Sequence, residues 1–252
     1  MPDLLNLHYP VDTFALIALA FLVAGTIKGI LGMGLPAILM VSLTLLMPPL
    51  EAIALIFFPM MMINVLQFLR GPHPKKTAIE YRIFAICAFV VIILVGLNLR
   101  RVPEDLLLSF IGMAMIVFAI PNLYGWRLRI GPSPIVQGIS GMLTGILGGL
   151  SSIWSPPVVM YLVGRGVQKD EFVGAVGYIF MIGSFGMGIA LGTIQLLGPE
   201  IITPSLIGLG IALIGFRLGE HIRKRIDTEL FTKIVMVAFL LMGCRLVLIG
   251  IM

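Results

Sequence analysis

Ten apolar segments leave this chain little choice of solvent. They run over 12–31, 35–47, 50–70, 79–98, 105–124, 133–150, 153–164, 171–196, 201–217 and 229–250. A helix needs about 20 predominantly apolar residues to cross a hydrocarbon core of ~30 Å. Most of the segments reach that length, 201–217 only marginally. Barrel strands would be shorter and would alternate. Of the 252 residues, 59% are hydrophobic and only 12% charged, whereas a soluble chain is about a quarter charged. The reading is an all-α membrane protein, a polytopic helical bundle forming one transmembrane domain over residues 1–252.

Two segments, 35–47 and 153–164, are too short to cross, and each follows a glycine-rich break. The first break reads "GILGMGLPAILM" over 29–40 and the second "GILGGLSSIWSPPVVM" over 145–160. Lipid offers no hydrogen-bond partner, so unwound backbone at that depth must be buried in protein or line a watery cavity. Where a break ends one half-helix and starts another, the new N-terminus turns free N–H groups and a positive partial charge inward. Two such ends facing each other make an anion site from backbone alone. Whether each interrupted hairpin re-enters or crosses fully stays open from sequence.

The breaks belong to a longer parallel. Gly25–Gly32, "GTIKGILG", matches Gly141–Gly148, "GMLTGILG", at an offset of 116, which pairs Lys28 with Thr144. Each break leads to proline (Pro36; Pro156 and Pro157), a short apolar stretch and an acidic turn (Glu51; Asp170 and Glu171). Near the end of each half, "VPEDLLLSFIGMAMIVFA" resembles "IDTELFTKIVMVAFLLMG". These features predict internal repeats at about 12–124 and 133–250. Four basic loops fall on one face: Arg70, Lys75, Lys76 and Arg82; Arg127 and Arg129; Arg165 and Lys169; Arg217, Arg223, Lys224 and Arg225. The opposite face keeps Arg100 and Arg101. The positive-inside rule makes the crowded face cytoplasmic, which inverts the halves and puts both termini on the non-cytoplasmic side. Inverted repeats with helices broken at matching positions are a signature of secondary transporters. The net charge of +5 is thus a matter of topology, and no nucleic-acid partner is expected. The N-terminus shows no basic region or cleavage site, so no signal peptide is expected.

The twelve acidic residues lie at segment ends or in loops, while Lys28, Lys233 and Arg245 fall inside segments. Lys233 and Arg245 are close enough to helix ends to snorkel. Lys28 follows about 16 apolar residues and precedes the first break. An ionisable group there attracts an anion, pairs with backbone carbonyls or snorkels. The candidate substrate-binding residues are Lys28, Gly29, Gly32, Gly34 and Pro36 at the first break. At the second they are Gly145, Gly148, Gly149, Ser151, Ser152, Trp154, Ser155 and Pro156. The three serines are able to ligate oxyanion oxygens, or to satisfy helix carbonyls. Trp154 reads equally as a pocket wall or an interfacial anchor. Asn64, Gln67 and Ser184 are candidate pathway-lining groups, or interhelical hydrogen bonds. Gly183, Gly186 and Gly188 suggest close helix contact. Cys87 and Cys244 read as small buried hydrophobes. No metal site, cofactor or catalytic residue is predicted: His8, His73 and His221 fall outside the apolar segments and no "HExxH" occurs.

At these residues the chain resembles the TauE/SafE sulfite exporter family, most specifically in "GMLTGILGGLSSIWSPPVVMYLVGRGVQKDEFVGAV". The first break departs from that pattern, being shorter and having no Ser-rich stretch between glycine and proline. The resemblance implies a carrier in the cytoplasmic membrane that exports a small sulfur-containing anion such as sulfite, a sulfonate or thiosulfate. Alternating access would then work with the anion held at the paired breaks. No deep carboxylate offers a proton relay, so protons as coupling ion would have to use the substrate or Lys28. The alternatives are a channel or carrier for another small anion, or a non-transporting accessory subunit.

Overall fold

The computed structural model describes residues 11–125, 130–223, 225 and 228–251. His8, Arg127, Arg129 and Lys224 lie outside the described residues, as do the side chains of Lys169 and Asp170. The helices run α1 Val11–Leu31, α2 Leu35–Leu43, α3 Pro49–Leu55, α4 Phe57–Leu69, α5 Pro74–Glu80, α6 Arg82–Gly96 and α7 Glu104–Tyr124. They continue with α8 Pro134–Ser151, α9 Ser155–Gly164, α10 Lys169–Thr193, α11 Pro199–Ile222 and α12 Thr228–Ile251, and a short 3-10 turn at Leu99–Arg101 precedes α7. The all-α class follows directly from the apolar runs. Among the described residues, six helices are long and apolar enough to cross a membrane, or eight if two bent pairs each count as one span. The protein is therefore a multi-pass membrane protein.

Several segments differ from their sequence-based bounds; the helix in 35–47 ends already at Leu43. The run 50–70 is split at Ile56 into α3 and α4, bent by 41°. Pro59 explains this, because it has no N–H to give to the carbonyl of Leu55 four residues back. The run 79–98 is preceded by α5, which meets α6 at 69°. Here Gln137 of α8 enters the helical ladder. Its Nε2 donates to the Glu80 carbonyl at 2.9 Å, and its Oε1 accepts from the Phe84 N–H at 3.3 Å. One side-chain amide thus takes both halves of the missing i→i+4 bond. The run 201–217 is the inner part of a 24-residue helix. Pro199 starts α11, as proline suits a first helical position, and the helix continues through the charged turn to Ile222, taking His221 with it. The α8 helix runs one residue past its apolar segment, to Ser151.

Helices pair along glycine seams. The α1 helix lies along α11, α8 along α6, α7 along α12, and α4 along α10. Without a hydrophobic drive between helices in lipid, close backbone approach supplies the attraction, and small residues four apart permit it. A Cβ on Gly25 or Gly29 of α1 would meet the carbonyls of Ala212 or Phe216. One on Gly215 or Gly219 of α11 would meet those of Leu22 or Thr26. The α8–α6 seam repeats this: Gly141 abuts the Phe84 carbonyl, Gly145 abuts Val91 and Gly149 abuts Val95. Gly183, Gly186 and Gly188 are close-contact positions too, against Ile92 and Trp154, Phe89, and Phe57. Cys87 is half-buried, but Cys244 is exposed on α12 and does not belong to the core.

Three ion pairs draw basic loops together at one end of the bundle. Arg70 reaches Glu220 at 3.3 Å, Lys76 reaches Glu171 at 3.4 Å, and Arg165 reaches Glu80 at 3.2 Å. Each is at least partly exposed and contributes little stability. Their value here is positional: the loops around 70–82, 165–171 and 217–223 share a face. Arg100 sits elsewhere, donating to the Gln195 carbonyl at 3.2 Å.

Candidate functional site

The two breaks begin alike and end differently: Gly34 is left-handed at φ +95° before α2, whereas Trp154 takes φ −96° before α9. After α1, Gly32 takes φ +78° and its N–H donates to the Lys28 carbonyl at 2.7 Å. After α8, Ser152 takes φ +58° and its N–H donates to the Gly148 carbonyl at 2.9 Å. Three residues, 32–34 or 152–154, then separate the first helix from the second. Pro36 and Pro156 each sit in the first turn that follows. The first break is thus not the shorter one. Matched at their left-handed residues, the breaks pair Lys28 with Gly148, not with Thr144. The "GILG" identity is offset from the backbone feature by one helical turn. The short helices α2 and α9 have 9 and 10 residues, roughly 14–15 Å at 1.5 Å per residue, or half a hydrocarbon core.

Lys28 occupies the end of α1 and is 1% exposed, the sole buried charged side chain among the described residues. Its Nζ donates to Asn64 Oδ1 at 2.8 Å and lies 5.6 Å from the centroid of the Phe180 ring. It neither snorkels nor pairs with backbone carbonyls. Asn64 Nδ2 donates to Ser184 Oγ at 3.4 Å, and Ser184 donates to the Phe180 carbonyl at 2.6 Å. An ammonium has three hydrogens, so Asn64 leaves two without a protein acceptor among the described residues. The Phe180 ring supplies only a weak cation–π contact.

Lys28 is also a lining residue of a cavity of about 280 Å³, whose walls include neither Asn64 nor Phe180. Lys28, Gly29, Gly32 and Gln67 line its inner part; Arg70, Glu220 and Arg223 line it at the basic face. At about 30 Å³ per water, it has room for a small oxyanion and several waters. Gln67 shapes the inner wall. Its Nε2 donates to the carbonyls of Gly32 at 3.0 Å and Val173 at 2.8 Å, which fixes the amide orientation and ties the break to α10. Its Oε1 is buried without a partner. Gly34 and Pro36 are buried beside the break but do not line the cavity.

The second break is closed. Ser151 is fully used, donating to the Leu147 carbonyl at 2.6 Å and accepting from the Ile153 N–H at 3.1 Å. Ser152, Trp154 and Ser155 are buried as well. Ser152 Oγ and Trp154 Nε1 have no hydrogen-bond partner. Trp154 is no interfacial anchor: its ring covers Gly148 and stands edge-on to Phe180 at 5.5 Å. Gly145, Gly148 and Gly149 are helical. Gly145 and Gly149 face α6, and Gly148 makes room for the indole. The structure therefore brings Lys28, Gly29 and Gly32 together at a cavity, and puts Phe180 between that group and Trp154.

Ser152 offers a test that separates structure from function. An L-residue in the left-handed region costs roughly 1–2 kcal/mol, and a buried unpaired hydroxyl adds to that. Ser152→Gly is expected to raise the thermal midpoint of the purified protein. If the hydroxyl ligates substrate, anion binding falls in the same variant.

Sequence reasoning missed Phe180, Arg70, Glu220 and Arg223. Arg70 and Glu220 lie 150 residues apart, and only the α4–α11 contact brings them to one cavity mouth. The sequence model of the Sulfite exporter TauE/SafE family matches residues 17–246, nearly the whole chain and both breaks. No curated protein and no solved structure matches the chain. A multi-pass helical bundle with a buried lysine at a broken helix, and this match across it, identify the chain as a member of the TauE/SafE family of membrane transporters for sulfur-containing anions.

Proposed function

We propose that the protein is a secondary carrier that exports a small sulfur-containing anion of the sulfite, sulfonate or thiosulfate class across the cytoplasmic membrane. The observation that carries this reading is Lys28: a buried lysine, hydrogen-bonded to one neutral amide, at a broken helix that lines a cavity. A buried cation in a membrane protein is costly and marks a pathway. The free N–H groups at the start of α2, which no side chain caps, add positive potential beside it.

Alternating access between inverted halves is the mechanism that fits the arrangement. Asn64 and Ser184, hydrogen-bonded to each other, are 120 residues apart. The same separation relates Gly32 to Ser152 and Pro36 to Pro156. Exchange of the halves turns the α1–α11 seam into the α8–α6 seam and maps the α4–α10 and α7–α12 pairs onto themselves. Break one borders a cavity and break two is sealed under Trp154. This is the asymmetry of a carrier facing one side. With the basic face cytoplasmic by the positive-inside rule, that side is the cytoplasm, the loading side for export. The anion is held by Lys28 and Gly32 in this state, with Ser152 and Trp154 as the matching donors once the second break opens. Saturable sulfite or sulfonate flux into proteoliposomes tests the reading, and flux no greater than that of empty vesicles overturns it.

A further inference from the structure

A second concavity, of about 620 Å³, lies on the outside of the bundle between α4 and α11. It is separate from the central cavity and shares only Arg70 and Phe216 with it. Its two ends differ in chemistry. Leu66, Leu213 and Ile214 form an apolar end, and Arg70, Arg217 and His221 gather at the other. Arg217 and His221 are one turn apart on α11, both exposed, beside the exposed apolar stripe Ile214, Leu218 and Ile222. Among the described residues Arg217 makes no ion pair, whereas Arg70 already has Glu220.

Size and charge select the occupant. From Leu213 to Ile222 the groove follows α11 for roughly 14 Å, about half of a ~30 Å hydrocarbon core, the depth of a single leaflet. Its cationic end is at the basic face of the protein, where an anionic headgroup would lie if the apolar end held an acyl chain. Basic pockets between spans on that side are suited to lipid phosphates. A cation cluster at a helix C-terminus is explained in part by the helix dipole. That does not account for Arg217, which precedes the last turn, or for its alignment with an apolar groove. We propose that this groove holds one anionic glycerophospholipid of the phosphatidylglycerol type, its phosphate on Arg217 and His221 and an acyl chain against Leu213 and Ile214. The proposal is independent of which anion the central cavity carries.

Native mass spectrometry of the full chain from micelles doped equally with phosphatidylglycerol and phosphatidylcholine tests it. Wild type is expected to retain one phosphatidylglycerol in preference to phosphatidylcholine. The double variant Arg217→Ala, His221→Ala should lose that preference by roughly fivefold, since the arginine contributes of the order of a kcal/mol as a surface cation and the imidazole a hydrogen bond. Arg245→Ala removes an equally exposed cation from α12 and should change nothing. Equal retention of the two lipids, or an unchanged double variant, overturns the proposal. So does displacement of the lipid by soluble glycerol phosphate at matched concentration, which would reveal an anion site without an acyl groove.

Discussion

Replacing Lys28 with methionine is expected to weaken anion binding by roughly ten- to a hundredfold while leaving the protein folded. The two consequences separate because the side chain is placed for charge and not for stability. It is 1% exposed and its Nζ meets one neutral amide. Holding an ammonium at that depth costs on the order of 3 kcal/mol on insertion scales. Methionine restores most of the volume without the charge. Against that gain stands Asn64 Oδ1, which loses its donor at a cost of about 1–3 kcal/mol. The terms nearly cancel, so thermal denaturation of Lys28→Met should stay within about 2 kcal/mol of wild type. Binding behaves otherwise. A charge-assisted hydrogen bond to an anion contributes about 1.5–3 kcal/mol, so affinity should fall roughly ten- to a hundredfold. Isothermal titration with sulfite on both proteins reads the difference. A variant that unfolds, or one that binds as well as wild type, contradicts the placement of the anion at Lys28.

The largest structural effect is expected from Gly219→Val. A Cβ at Gly219 would run into the Thr26 carbonyl, with the Gly29 Cα also within 3 Å. Both obstacles are backbone, so no rotamer change relieves them. Overpacking costs typically 1–3 kcal/mol where side chains give way, and here α1 itself must shift from α11. Because α1 carries Lys28 and the first break, the shift reaches the cavity even if the helices still associate. Loss of the monodisperse protein peak in detergent is the expected readout. Gly210→Val is the control on the same helix: nothing lies within 4 Å of its Cβ, and it should express normally. Equal behaviour of the two variants would mean that the seam is not close-packed in the membrane.

Much of the architecture was written in patterns of long reach. Apolar runs located the spans. The glycine–proline sequence located both breaks. What escaped was local geometry in which single residues meet across the chain. The bend between α5 and α6 depends on Gln137 from another helix, and nothing in 79–98 announces it. The register of the breaks was misread because "GILG" is a packing sequence, shared by two helices with seams to protect. The left-handed residue that ends each helix is Gly32 in one half and Ser152 in the other, so residue identity could not align them. Lys28 stood out as an expensive charge, but its partner Asn64 was one of several polar groups in apolar runs. Trp154 was ambiguous because a tryptophan suits either an interface or an interior, and only the space above Gly148 decided it.

Flux is the most direct test of the transport reading. Purified protein in sealed proteoliposomes, loaded with sulfite and diluted into sulfite-free buffer, should release it with saturable kinetics. Methanesulfonate should compete, and Lys28→Met vesicles should release sulfite roughly ten- to a hundredfold more slowly at sub-saturating sulfite. Release at the wild-type rate from Lys28→Met vesicles, or no release above empty vesicles from wild type, would contradict the assignment of the cavity as the anion pathway.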